Sequence, residues 1–233
     1  MKTLVEPQHY NYNRFKASDY NFDHFTGPAV GESFIDVPLY SLDGKQVMLS
    51  DYLDKPLVLE TGSLTCPMYA KCVSPMQQYA EQYPNMNFLV LYVREAHPGD
   101  KVGGQQSLEE KIANAQQTRA AYGEHRTIVV DDLGGEAHQR YGELPNMIYI
   151  IGTDGTVRFR STWNNTEKLA AVLRAIEQEK PFELQDFKPN NPTPLKALRT
   201  LRYGGLLAIY DFVKELPRFL TMHQRAGNLK KLF

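Results

Sequence analysis

The strongest constraint on the fold is an alternation in which short apolar runs recur between stretches of helical spacing. Leu57-Val58-Leu59 leads into a helical pattern over 67–83, and Phe88-Leu89-Val90-Leu91-Tyr92-Val93 is followed by another over 107–122. A strand pattern at 127–130 precedes a short helix ending near Tyr141. Strand patterns at 147–151 and 157–160, joined through Asp154-Gly155, precede a last helix over 166–178. Short apolar runs bounded by turn residues mark buried strands, and strands alternating with helices predict a sheet with helices on its faces. Upstream, the pieces 34–40 and 46–49 flank Leu42-Asp43-Gly44-Lys45, where Asp-Gly predicts a hairpin. Pro67 suits the first turn of a helix, because its missing N–H has no intrahelical acceptor there. Ser107-Leu108-Glu109-Glu110 reads as a capping box.

This is the order of an α/β fold of thioredoxin-like type: a mixed central sheet flanked by helices, with an N-terminal hairpin extension and a C-terminal helical arm. The expected organisation is a polar leader (1–28), the thioredoxin-like domain (29–185), a Pro-rich linker (186–194) and a basic amphipathic arm (195–233). A chain of 233 residues, 42% hydrophobic, can bury one sizeable core. The net charge of −1 argues against a nucleic-acid partner, but it hides an asymmetry. From residue 186 onward there are nine Lys or Arg against three Asp or Glu, about +6 against −7 for the rest. Residues 1–25 carry no apolar run of secretory type, and no segment has the roughly 20 apolar residues of a membrane span, so the expected compartment is cytoplasmic. In the arm, Leu206, Ile209, Val213, Leu216 and Leu220 share a helical face, and Pro217 is expected to kink or end that helix. Such an arm packs on its own domain, joins a homodimer, or makes peripheral contact with an anionic membrane.

Cys66 and Cys72 are the only cysteines, which excludes a disulfide-stapled scaffold, and no His or Cys spacing suggests a metal site. Cys66 stands between a strand and a helix, where unpaired backbone N–H groups and the positive end of the helix dipole favour a thiolate. Thr65 and Ser63 offer hydroxyls to the thiolate or to an attacked oxygen. His97 lies beyond the next strand, on the carboxyl edge where ligands collect in such sheets, and reads as a proton donor or thiolate partner. Glu95 is a candidate to orient it. Cys72 is a candidate resolving thiol, although six helical positions put it about 240° around and roughly 9 Å along from Cys66. Pro145, before a strand, is expected to be a cis-proline beside the thiol.

Gly62-Ser63-Leu64-Thr65-Cys66-Pro67, the run from Asn87 through Arg94-Glu95-Ala96-His97-Pro98-Gly99-Asp100, and Ser107-Leu108-Glu109-Glu110-Lys111 resemble the iodothyronine deiodinases in order and spacing, over roughly 30–178. The resemblance implies that Cys66 occupies the position of the family's selenocysteine and that His97 matches the histidine of its Glu-Ala-His-Pro block. Leu64 departs from a second cysteine found in many members, and Gln105 or its neighbour from a further histidine. The expected activity is a thiol oxidoreductase with no bound cofactor: Cys66 attacks a small-molecule electrophile (a carbon-bound halogen, a peroxide or a disulfide), and an external thiol reductant of thioredoxin or glutathione type regenerates it. A peroxiredoxin-like thiol peroxidase and a non-enzymatic adaptor acting through the arm are the alternatives.

Overall fold

The computed structural model describes residues 10–22 and 25–228. Seven strands form one mixed sheet: β1 (Pro38–Ser41), β2 (Gln46–Met48), β3 (Leu57–Gly62), β4 (Asn87–Tyr92), β5 (Thr127–Val130), β6 (Ile148–Ile151) and β7 (Val157–Ser161). Their order is β2-β1-β5-β4-β3-β6-β7. The central strands β3, β4 and β5 are parallel, and β1, β2, β6 and β7 are antiparallel to their neighbours. The expected hairpin therefore belongs to the sheet, since β1 pairs with β5. The piece read as starting at residue 34 begins pairing in β1 only at Pro38, and Ser33 makes an isolated bridge to Thr156 instead. In the hairpin turn Gly44 takes φ +80°, which a side chain would resist.

Helices α1 (Pro67–Gln82), α2 (Leu108–Tyr122), α3 (Glu136–Tyr141) and α4 (Thr166–Glu177) complete the domain, and the arm forms α5 (Pro194–Gly204) and α6 (Leu206–Arg225). Alternation along the strands divides the core. Leu57, Leu59, Leu89, Leu91 and Tyr149 face α3 and the N-terminal segment, whereas Val58, Phe88, Ile148 and Ile150 face α1 and α4, and Val90, Tyr92 and Ile128 face the α1–α2 side. The Ser107 hydroxyl caps α2 by accepting from the Glu110 N–H at 3.2 Å; the Glu110 carboxylate reaches back to Gln106 rather than to Ser107.

The N-terminal segment is not a solvated leader. Residues 1–9 and 23–24 lie outside the described residues, but Tyr10, Phe15, Ala17 and Tyr20 are buried. The buried Arg94 guanidinium organises them, lying over the rings of Tyr10, Tyr12 and Tyr20 at 4.9, 4.9 and 5.5 Å while pairing with Glu143 at 3.0 Å. The Pro-rich stretch is not a free spacer either. Asp186 accepts from the Ser161 hydroxyl and the Thr162 N–H, both at 2.8 Å, Phe187 is buried against Phe159, and Lys71 donates to the carbonyls of Asn190 and Asn191.

The arm folds back over the domain, with residues 229–233 outside the described part. Its break lies at Gly205 (φ +97°), not at Pro217, which sits inside α6. Pro217 and Val213, the residue whose carbonyl it leaves without a helical donor, are both exposed, so water can satisfy that carbonyl. The inward face overlaps the expected one only in part, since Ile209, Leu216 and Leu220 are half-buried. Ala208, Asp211, Phe212, Phe219 and His223 turn inward, while Leu206 and Val213 are exposed.

Candidate functional site

Strand β3 delivers the chain to the thiol. Gly62 ends it beneath the Tyr69 ring, where an added Cβ would collide with that ring. The turn closes through Cys66 N–H to the Ser63 carbonyl at 3.2 Å, and Cys66 becomes the N-cap of α1 with Pro67 following. The Tyr69 N–H donates to Cys66 Sγ at 3.5 Å, and the thiol faces the Pro145 carbonyl at 3.7 Å. Cys66 is 1% exposed. The predicted helix-terminus donors are therefore in place, but burial outweighs the Tyr69 and Met68 amides and pushes the thiol up to about 12. In this arrangement Cys66 is a protonated thiol, not the thiolate that its position alone suggests.

Neither neighbouring hydroxyl is bonded to the sulfur. Ser63 Oγ accepts from the Ala96 N–H at 3.2 Å, and Thr65 Oγ1 donates to Glu95 at 2.6 Å while accepting from the His97 N–H at 3.0 Å. Glu95 is buried beneath the turn. It also accepts from the Thr65 N–H at 2.9 Å, from Gln105 Nε2 at 3.1 Å and from the Tyr92 hydroxyl. Burial raises its pKa, opposed by the bonds from Thr65 and Tyr92. Glu95 thus locks the Thr65 turn to the backbone of His97; it does not hold the imidazole as expected.

The His97 imidazole lies between the rings of Phe15 (4.4 Å) and Phe212 (5.3 Å), and its Nδ1 has no hydrogen-bond partner. No hydrogen bond joins it to Cys66. A cavity of about 410 Å³ between the α1 start and the arm is lined by His97, by Pro67 and Met68 directly after Cys66, and by Trp163, Phe212 and His223 among others, while Cys66 itself is not in its lining. His223 also has an unpartnered nitrogen, Nε2, and stacks near Trp163 at 5.5 Å. Burial lowers His97 to about 3 and His223 to about 4. A histidine depressed in this way supports the fold fully above its unfolded value of 6.5 and withdraws that support as pH falls towards the folded value. Acid should therefore loosen the arm, and the emission of Trp163, the single tryptophan, should change from about pH 6 downward. A His223→Gln variant should flatten part of that change.

Cys72 is a free, buried thiol, as is Cys66, and its Sγ lies against the Asn164 carbonyl at 3.4 Å and Asn146 Oδ1 at 3.7 Å. Pro145 follows a trans peptide bond, since there is no cis bond among the described residues. Trans is the lower-energy isomer, and in it the Leu144 carbonyl accepts from Thr61 Oγ1 at 3.1 Å while the Pro145 carbonyl still reaches the Cys66 thiol. Among the described residues no group of three or more His, Cys, Asp or Glu could hold a metal.

Sequence reasoning missed a buried polar network under α1. Glu60, inside β3, accepts from Arg126 Nη1 at 2.7 Å, Asn146 Nδ2 at 2.9 Å and Asn164 Nδ2 at 2.7 Å. Arg126 also forks onto Glu124 at 2.7 and 3.0 Å, and the Tyr69 hydroxyl donates to Glu124 at 2.9 Å. Tyr69 thereby links this network to the Cys66 sulfur. The available signal was a carboxylate within an apolar strand run, which must find a partner when buried.

Residues 11–173 match the family model for the iodothyronine deiodinases. The chain is 27% identical to the type I iodothyronine deiodinase of Xenopus laevis over 132 residues, 52% of this chain and 52% of that protein. It is 27% identical to the thyroxine 5-deiodinase of Sus scrofa over 117 residues, 46% of this chain and 38% of that protein. The chain thus spans about half or less of the length of these relatives. A structure from Chlorobium tepidum, described as a candidate thiol:disulfide interchange protein DsbE, superposes with a TM-score of 0.50 at 18% identity, covering 64% of this chain and 96% of that one. That likeness shows the thioredoxin-like fold, and the arm lies beyond the family match.

Proposed function

Because the chain belongs to the iodothyronine deiodinase family, we propose that it is a thiol oxidoreductase whose Cys66 attacks an apolar electrophile entering beside His97. The observation that carries this reading is Cys66 as the N-cap of α1, with a backbone N–H on its sulfur, directly before Pro67 and Met68, which line an apolar cavity bordered by His97 with its unpartnered Nδ1. Burial keeps the thiol protonated while the site is covered. Opening towards the cavity removes that penalty and leaves the amides of Met68 and Tyr69 to favour the thiolate. With a carbon-bound halogen, the sulfur takes the halogen and the carbon takes a proton. With a peroxide, the sulfur takes one oxygen and the alcohol leaves. In either case two external thiols of glutathione or thioredoxin type restore Cys66–SH, becoming a disulfide and releasing hydrogen halide or water. His97, neutral at pH 7, has a nitrogen free to receive or return the proton.

Iodoacetamide labelling across pH, with Cys72→Ser to isolate Cys66, tests the reading together with turnover of halogenated phenol, hydroperoxide and disulfide substrates. Cys66→Ser is expected to abolish all turnover, and adding substrate or loosening the arm should bring the labelling midpoint down from about 12. Turnover that survives Cys66→Ser would sink the proposal. Full inertness of the wild-type chain towards every substrate class would favour an adaptor.

A further inference from the structure

The inner faces of α5 and α6 cover the domain, but their outer faces are left apolar. Of the eight large hydrophobic residues exposed among the described residues, six lie on these two helices: Leu195, Leu198, Leu206, Leu207, Tyr210 and Val213. Single exposed leucines are ordinary, whereas a stripe of them is not. On α6 the stripe is regular. Leu206, Tyr210, Val213 and Pro217 recur at one-turn and two-turn spacing, with Leu206 77% and Val213 61% exposed.

The acids of the arm are held by the N-terminal segment, whereas its cations are exposed, Lys214 and Arg218 at the rim of the groove that also holds Asp211 and Glu215. The arm has two carboxylates from residue 194 onward, and both turn towards the N-terminal segment: Asp211 pairs with Arg14, and Glu215 accepts from the Ala17 N–H at 3.1 Å. Lys196, Arg199, Arg202, Lys214 and Arg218 are exposed, and none forms an ion pair among the described residues. Each helix therefore presents apolar residues interleaved with cations and no exposed acid.

We infer that this outer face of the arm binds the surface of an anionic lipid bilayer, with the apolar stripe in the headgroup boundary and the cations on lipid phosphates. Apolar and basic residues sharing one helical face are the arrangement that interfacial helices use. The contact is peripheral, because no helix among the described residues is long and apolar enough to cross a membrane. A second copy of the chain is the poorer occupant, since a symmetric contact through this face would set its cations against themselves. The inference is independent of the chemistry proposed for Cys66.

Sedimentation of the full chain with phosphatidylcholine vesicles, with and without phosphatidylglycerol, tests it. Binding is expected to the anionic vesicles and to fall as salt rises, with little binding to phosphatidylcholine alone. Each cation near such a surface contributes about fivefold, so Lys214→Ala with Arg218→Ala should weaken binding by about 25-fold. Leu206→Ser with Val213→Ser should weaken it by at least about tenfold. These positions are exposed, so circular dichroism should report an unchanged fold. Equal binding to both vesicle types, no binding to either, or binding unmoved by both double variants would overturn the inference. A concentration-dependent dimer dissolved by Val213→Ser, without vesicle binding, would assign the face to a second copy.

Discussion

Replacing Arg126 with Met is expected to destabilise the fold by about 3–5 kcal/mol, because it strands buried carboxylates without their cation. Arg126 donates to both Glu60 and Glu124, and neither carboxylate has exposed side-chain surface. A domain of this size holds about 5–15 kcal/mol in total, so the loss is a large fraction of it. Urea unfolding reads the change, and the melting temperature should drop by roughly 10 °C. The triple variant Arg126→Met, Glu60→Gln, Glu124→Gln should recover part of it, since amides carry no charge to strand. If Arg126→Met alone unfolds at the wild-type urea midpoint, the network has no such role. The site should respond as well, because Tyr69 donates its hydroxyl to Glu124 and its backbone N–H to Cys66.

Phe15→Ala should cost a similar amount, about 3–5 kcal/mol, through the cavity left by a fully buried ring. Phe15 meets Tyr20, His97, Phe212 and Phe219 at ring separations of 4.4 to 6.5 Å, so it joins the N-terminal segment, the candidate site and the arm. Its loss should fall chiefly on the packing of the arm against the His97 edge of the sheet, next to the Cys66 turn. Every 1.4 kcal/mol taken from that packing raises the open fraction about tenfold. Cys66 labelling at neutral pH should therefore accelerate by at least about tenfold, while Phe15→Leu, which keeps most of the volume, should change it far less. Unchanged labelling in Phe15→Ala would show that the arm does not cover the thiol.

Much of the domain was legible in the sequence because the period of its apolar residues reports local geometry. The runs at 57–59, 88–93, 127–130 and 147–151 became β3 to β6, displaced at their ends by no more than a few residues. Ser107 and Pro67 marked helix starts by the donors they satisfy or lack. Boundaries shifted where pairing decided them, as at Pro38, because a strand ends where its partner ends. The arm was legible as amphipathic, but which face turned inward was only partly so, because aromatic side chains on the domain select it. Phe15 and Trp163 draw in Phe212, Phe219 and His223, and Leu206 with Val213 is left outside.

At the candidate site the division is sharper. The sequence by itself determined that Cys66 stands between a buried strand and a helix start and that His97 follows the next strand, because both are local consequences of strand and helix periodicity. Only the tertiary structure decided the state of the thiol, the partners of Thr65, Ser63 and Glu95, and the trans bond before Pro145. Those depend on burial and on contacts between residues about 30 to 200 positions apart, such as Thr65 with Glu95, Cys66 with Pro145 and Arg14 with Asp211. Desolvation has no local signature. A helix start that would favour a thiolate in water holds a protonated thiol once the fold has buried its sulfur.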